Sequence, residues 1–216
     1  MRLRNQITSW LATYGCRLTA AVRHRSAWWT RVGDWQGRAL PATVQARIGR
    51  AEGRLAIVGE QIAALEQQQR AALRAAGPES ALTRLTALKG IATTGASVLL
   101  DEGLVWRDFR NRRQIGGLLG FAPMKYQSGT LDRDQGISRA GNPRWQAVSV
   151  QLAWSWVRWQ PDSALTRWFH AHFGRRRRDR KVGIVALARK LVIALWRYAT
   201  QGIVPAGALV TSPARG

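Results

Sequence analysis

Apolar residues recur along much of this chain at helical spacing. The clearest register is Val44, Ile48, Ala51, Leu55, Val58, Ile62 and Leu65, in alternating steps of four and three. Those steps align all seven on one helix face as a heptad seam. The pattern runs to Ala76 and stops at Gly77-Pro78. Gly49, Gly53 and Gly59 lower its intrinsic helicity, which favours an antiparallel hairpin or a seam completed by a partner over a free zipper. A seam of about three heptads also suits an ordinary amphipathic helix packed on its own domain.

The other elements follow from the same periodicity. A helix is predicted over Leu3 to Tyr14, ending at Gly15, followed by a weakly patterned connection to Pro41. Leu82–Leu88, the turn Lys89-Gly90-Ile91-Ala92 and Thr93–Asp101 read as helix, tight turn, helix. A Gly-apolar-Gly turn of this kind lets backbone N–H groups approach a nucleic-acid phosphate. Ala92 stands at the second Gly position, and a plain helical hairpin is the competing reading. Arg107, Arg110, Arg112 and Arg113 lead into an apolar helix ending at Gly120. The segment Phe121–Asn142 carries Pro123, Gly129, Gly136 and Gly141, too many turn formers for a long helix, and is predicted as a short hairpin or ordered loop. Trp145, Val148, Leu152, Trp156 and Trp159 then share a helix face, and Pro161-Asp162 separates that helix from the next. A basic loop, Arg175 to Lys181, precedes a last apolar helix ending near Gln201-Gly202.

The predicted fold is therefore mainly α, a helical domain with a coiled-coil-like segment and a short irregular or hairpin insertion. Four regions are expected: a basic, Trp-rich stretch at 1–43, the coiled-coil-like helix at 44–77, the main helical domain at 78–206 and a flexible tail at 207–216.

Charge narrows the partners. The 216 residues include 34 Lys and Arg against 12 Asp and Glu, a formal net charge of +22. Arg dominates, and guanidinium binds phosphate bidentately and stacks on bases. Nucleic acid is the first expectation, with phosphate contact driven by counterion release. An anionic membrane is the second, opposed by Trp residues at core spacing rather than opposite a basic face. Cys16 is the single cysteine, which rules out an internal disulfide and a thiolate metal cage. The longest apolar run, Ile184–Trp196, is interrupted by Arg189 and Lys190 and is too short to span a bilayer. A cytoplasmic, nucleoid-associated protein without membrane partners is expected.

Candidate chemistry concentrates in Tyr126-Gln127-Ser128-Gly129-Thr130. Lys125, Arg133 and Arg139 surround a serine hydroxyl here, and such surroundings would ease negative charge developing during attack on a phosphodiester. Ser-Gly is also a common turn pair. His170 and His172 lack a nearby third ligand, and neither Asp101-Glu102 nor Asp132 with Asp134 makes a convincing two-metal cluster. Arg175, Arg176, Arg177 and Arg178 form a phosphate-contact candidate. No metal site is expected in this chain.

The order of motifs is specific. Leu85-x-x-Leu88-Lys89-Gly90-Ile91, Phe109 with Arg112, Gly120-Phe121-Ala122-Pro123, Gln127-Ser128-Gly129 and Ile137-Ser138-Arg139-Ala140-Gly141-Asn142 together resemble one family. It is the C-terminal domain of insertion-sequence transposases of the IS-110/116/902 group, which includes Piv-type invertases. Gln160–Leu165 and Gly183–Leu191 extend the resemblance, which runs from about Leu82 to Ala206. The preceding helix is similar to the family's coiled coil. The resemblance implies a serine that attacks DNA and forms a phosphoserine link, and by motif this is Ser128. It also implies, in full-length relatives, an N-terminal RNase H-like domain whose acidic tetrad binds Mg²⁺, and in some a structured guide RNA. The chain departs from the pattern at Ala92 and at Gln146, where an Arg is expected and Arg144 stands nearby.

Several further expectations follow. The chain is a truncated or split transposase that binds DNA, and possibly guide RNA, through Lys89, Gly90, Arg107, Arg110, Arg112, Arg113, Lys125, Arg133, Arg139, Asn142, Arg144 and Arg175 to Arg178. It self-associates through 44–76. It carries no cofactor itself, Mg²⁺ entering only with a separate metal-binding domain. The alternative is a non-catalytic module for nucleic-acid binding and dimerisation.

Overall fold

A computed structural model describes residues 2–16, 27–104, 107–121, 123–128, 131–137, 140–173 and 177–211, with residues 2, 123–128, 131–137, 177 and 178 described by backbone alone. The chain divides into two compact units, Met1–Gln67 and Gln68–Gly216. The division falls inside the long helix, ten residues before the boundary that Gly77-Pro78 suggests.

In the first unit, α1 spans Arg2–Ala12. Ile7 and Leu11, four residues apart, are both fully buried. Gly15 ends this segment in the left-handed region, at φ +69°, and a Cβ there would sit 2.9 Å from the Cβ of Trp35. A short 3-10 turn, Trp28–Thr30, brings Trp28 into the same core. Residues 33–39 fold back on themselves around Asp34. Its Oδ1 accepts from the N–H groups of Gln36 and Arg38, at 2.8 and 2.9 Å, and its Oδ2 from Nε of Arg38 at 3.0 Å. The thiol of Cys16 closes the fold from the other side, donating to the Gly33 carbonyl at 2.9 Å. Burial, helped by repulsion from Asp34, pushes that thiol above its ordinary pKa, so it is protonated at neutral pH.

α2 is one unbroken helix, Ala42–Ala75. The glycines therefore do not break the seam into an antiparallel hairpin. Gly49 has a local reason, since a Cβ there would press within 3.2 Å of the Trp29 indole. Nothing lies within 4 Å of a Cβ at Gly53 or Gly59, and the structure gives no reason for either.

Among the described residues, the regular elements of the second unit are helices and one hairpin. α3 spans Ala81–Ala87, with Ser80 as its N-cap accepting from the Thr83 N–H. α4 spans Thr93–Leu99 and runs into a π turn, Leu100–Leu104. α5 spans Arg112–Leu118 and is capped by Asn111. The strands β1, Pro123–Ser128, and β2, Leu131–Ile137, follow. Then come α6, Pro143–Trp159, α7, Ala164–Phe173, and α8, Arg177–Gln201. α8 packs against α3, α5, α6 and α7. Ile184, Leu187, Ala188, Leu191, Val192 and Leu195 fall at i, i+3, i+4, i+7, i+8 and i+11, one apolar face of the helix, and all are buried. Trp145, Trp156 and Phe169 supply the largest side chains of this core. Mainly α is thus the observed class.

Three expectations change. The stretch predicted as a loop from Arg175 to Lys181 is helical from Arg177 onward; arginine is a good helix former, and Asp179 complements the dipole in the first turn. Trp159 does not join Trp145 and Trp156 inside but stays 45% exposed. The tail from 207 is held as far as Thr211. Leu209 O accepts from Lys89 N at 3.1 Å, and Thr211 N donates to Ala87 O at 2.7 Å. Among the described residues no helix is long and apolar enough to cross a membrane.

Candidate functional site

β1 and β2 pair antiparallel, with partners Lys125–Asp134, Tyr126–Arg133, Gln127–Asp132 and Ser128–Leu131. Ser128 is consequently the last residue of its strand, at the turn end of the hairpin. The register is irregular only between Pro123 and Lys125, so alternation holds from there to the tip. It groups position 128 with 126 and 133, and position 125 with 127, 132 and 134. Arg133 thus belongs to the serine's set of positions and Lys125 to the other. Arg139 lies outside the described residues.

The hairpin is anchored by its feet. Gly120, at φ +62°, and Gly141 meet backbone to backbone. A Cβ on Gly141 would sit 2.5 Å from the Leu118 carbonyl oxygen and 2.6 Å from the Gly120 nitrogen. No side chain fits there, which is the physical reason for glycine at both positions. The Asn142 N–H donates to Leu118 O at 3.3 Å. Gln146, in the place where the resemblance leads one to expect Arg, brings its amide nitrogen to the same spot, 2.7 Å from where a Gly120 Cβ would be.

Asn142 has two structural duties. Its Oδ1 caps α6 by accepting from the N–H groups of Arg144 and Trp145, at 3.0 and 3.2 Å. Its Nδ2 donates to Oε2 of Glu102 at 2.7 Å, while Nη1 of Arg144 lies 3.2 Å from the other Glu102 oxygen. The π turn therefore supplies an acid that ties down the exit of the hairpin. Gly103 beside it lets Trp145 approach, since a Cβ would be 2.6 Å from that indole. Phe109 stacks on Trp145, with centroids 6.5 Å apart and planes at 7°. Sequence reasoning treated Asp101-Glu102 as a weak carboxylate pair and missed this role. A carboxylate forty residues upstream leaves no local periodicity by which to find it.

The candidate cations fall into separate groups. Arg107 and Arg110 are exposed on the segment leading into α5, and Arg112 and Arg113 on its first turn. The N–H of Arg110 is held by Gln114 Oε1 at 2.8 Å, and Asn111 Oδ1 accepts from Arg113 N and Gln114 N. This ordered segment passes through α5 directly to the Gly120 foot. Lys89 and Gly90 lie elsewhere, beside Ser155 and Trp159 near the C-terminal end of α6. Roughly 20 Å of helix separates them from Asn142 and Arg144, so these residues do not form one pocket. Arg175 and Arg176 lie outside the described residues, and Arg177 and Arg178 open α8.

Among the described residues no group of three or more His, Cys, Asp or Glu could hold a metal ion. Both oxygens of Glu102 already face Asn142 and Arg144. His172 has its Nδ1 2.9 Å from the Trp168 carbonyl. The described residues do not fit a magnesium site.

The hairpin and the helices that pin its feet lie within a segment that resembles known transposases. Residues 82–167, from within α3 to within α7, match the family model described as Transposase IS116/IS110/IS902 family. Over that segment the chain is similar to the transposases of the IS116/IS110/IS902 family. It is 44% identical over 194 residues to y4rJ of Sinorhizobium fredii (strain NBRC 101917 / NGR234), a protein named for a transposase; the match covers 85% of this chain and 48% of y4rJ. It is also similar to the transposase for insertion sequence element IS1328 of Yersinia enterocolitica, at 30% identity over 123 residues, 56% of this chain and 36% of the relative. The chain thus spans about half the length of the first relative and about a third of the second.

Proposed function

We propose that this chain is the serine-bearing, DNA-handling part of a transposase, with Ser128 as the nucleophile. The family match over residues 82–167 carries the reading, because that segment contains the whole hairpin with Ser128 at its turn end. In the proposed step the serine oxygen forms a bond to a DNA phosphorus and gives up its proton to solvent, while the bond from phosphorus to a strand oxygen breaks and that oxygen takes up a proton, giving a phosphoserine link and a free strand hydroxyl. Negative charge gathers on the non-bridging oxygens, where a guanidinium is the best-matched partner. Arg133 shares the serine's set of strand positions and is the first choice for that role. Arg107, Arg110, Arg112 and Arg113 hold the DNA backbone on the approach to the hairpin, with Arg139 and the arginines 175–178 as further phosphate contacts. A structured guide RNA is a second polyanion that the same cations would accept.

The reading includes a metal-binding domain working with this chain, and a second copy of the chain along the α2 seam. The exposure of Val58, Ile62 and Leu65, at 44, 51 and 58%, supports the second copy. That same exposure favours the alternative reading, a module that binds nucleic acid and dimerises without chemistry. One experiment separates them. The chain is mixed with labelled target DNA and a separately expressed metal-binding domain from a relative, then denatured and run on a gel. A protein–DNA adduct that disappears in Ser128→Ala supports the nucleophile. Cleavage undiminished in Ser128→Ala removes it, and nucleic-acid binding with no adduct under any complementation leaves the binding module.

A further inference from the structure

Trp159 ends α6 with 45% of its surface exposed. Two cations attend it: Lys89 Nζ lies 5.7 Å and the Arg158 guanidinium carbon 5.2 Å from the ring centroid. Both lie over the ring within the range of a cation–π contact, about 6 Å from the centroid, though at its outer part. Trp10 shows the contrast, since Arg47 already covers its ring at 3.9 Å. With nearly half of its surface exposed, Trp159 keeps accessible aromatic surface with two cations in loose contact with the ring.

The surface is held rigidly. Gln160, fully buried, donates from Nε2 to the carbonyls of Lys89 and Leu209 at 2.9 and 3.0 Å, and its Oε1 accepts from Leu209 N at 2.7 Å. The Lys89 N–H donates in turn to Leu209 O. Ser155 Oγ donates to the Gly90 carbonyl at 2.6 Å. Gly90 has φ +90°, and a Cβ on it would sit 3.0 Å from the Cβ of Trp159. The turn is thus pressed against the root of the indole, so little freedom is left to lose on binding. Beside the ring lies a groove of about 350 Å³ lined by Trp159, Ile91, Lys89, Thr86 and Ser155 among others.

We propose that Trp159 is a stacking platform for one unpaired nucleotide of a nucleic-acid strand, with Lys89 and Arg158 taking the flanking phosphate. An indole accepts any base by its π face, and a cation beside it matches the charge of the backbone. A duplex buries its base faces and has nothing to stack there. This goes beyond the serine chemistry but rests on the reading of the chain as a nucleic-acid binder.

The test uses the full chain and fluorescein-labelled 12-nucleotide oligomers, dT and U single strands and a mixed-sequence duplex, followed by anisotropy. Trp159→Ala should weaken single-strand binding about tenfold and leave duplex binding within twofold, while Trp159→Phe restores most of the loss. The dT and U arms tell whether the strand is DNA, RNA or either. Single-strand affinity unchanged in Trp159→Ala, or reduced equally for single strand and duplex, overturns the platform alone. A wild-type chain that binds none of the three oligomers overturns the nucleic-acid reading and the platform with it.

Discussion

The two halves of the α2 seam have the same spacing and opposite fates. Ile48 and Ala51 are buried, and Val44 and Leu55 pack against them, under a cover built by α1, Trp28 and Leu40. Val58, Ile62 and Leu65 continue the register one and two heptads further on, yet each is between 44 and 58% exposed. Periodicity identifies which face of a helix is apolar. Whether that face is covered depends on what the rest of the chain brings to it, and the first unit brings cover to only one half.

The largest effect should come from the covered half. Ile48→Ala removes a fully buried side chain and should cost about 2–5 kcal/mol, read as a lowered urea midpoint for unfolding of the first unit. A cost near zero would mean that the two halves are energetically alike. The exposed half should behave oppositely. Ile62→Ala should leave the stability of the isolated chain within about 0.5 kcal/mol, while shifting a dimer toward monomer in sedimentation velocity. A wild-type chain that sediments as a monomer at tens of micromolar would remove the second copy from the seam.

The smallest effect concerns the Asp34 turn, which precedes Leu40 in the cover. Desolvation raises the Asp34 carboxyl, but the N–H groups of Arg38 and Gln36 and the Arg38 guanidinium outweigh it and leave the pKa below its ordinary value. A depressed carboxyl stabilises the fold above its unfolded pKa, and the contribution is lost as pH falls through the folded value. Stability of the first unit should therefore decline as pH falls below the ordinary aspartate range. Asp34→Asn, which keeps an oxygen for both N–H groups, should flatten that part of the pH profile. An unchanged profile would show that the turn does not govern the cover.

Much of the frame was legible in the residues. Val44–Ala76 anticipated α2 to within two residues at its start, Pro161-Asp162 marked the end of the Trp-rich helix at Trp159, and the turn formers of 121–142 announced a break in helicity. What stayed hidden depends on contacts between distant segments. Asn142 and Arg144 read as nucleic-acid contacts because of their motif, and the structure shows both engaged with Glu102. Trp159 shares a spacing with Trp156, but the neighbouring turn at Gly90 reaches only its root. The tail looked frayed because pairing of 209–211 with 87–89 leaves no local signature. The position of Ser128 at a strand end could be anticipated from the Ser-Gly pair, whereas the pinched feet that hold the hairpin required the backbone of Gly120 and Gly141 to be seen together.

The central claim is that a serine at the tip of this hairpin takes over a DNA phosphate, and mass spectrometry of a trapped adduct tests it most directly. Complemented protein is reacted with target DNA, digested with nuclease and protease, and searched for peptides carrying a nucleotide. A nucleotide phosphate on the Ser128 hydroxyl is the predicted result. An adduct on any other side chain, with Ser128 unmodified, would contradict the account.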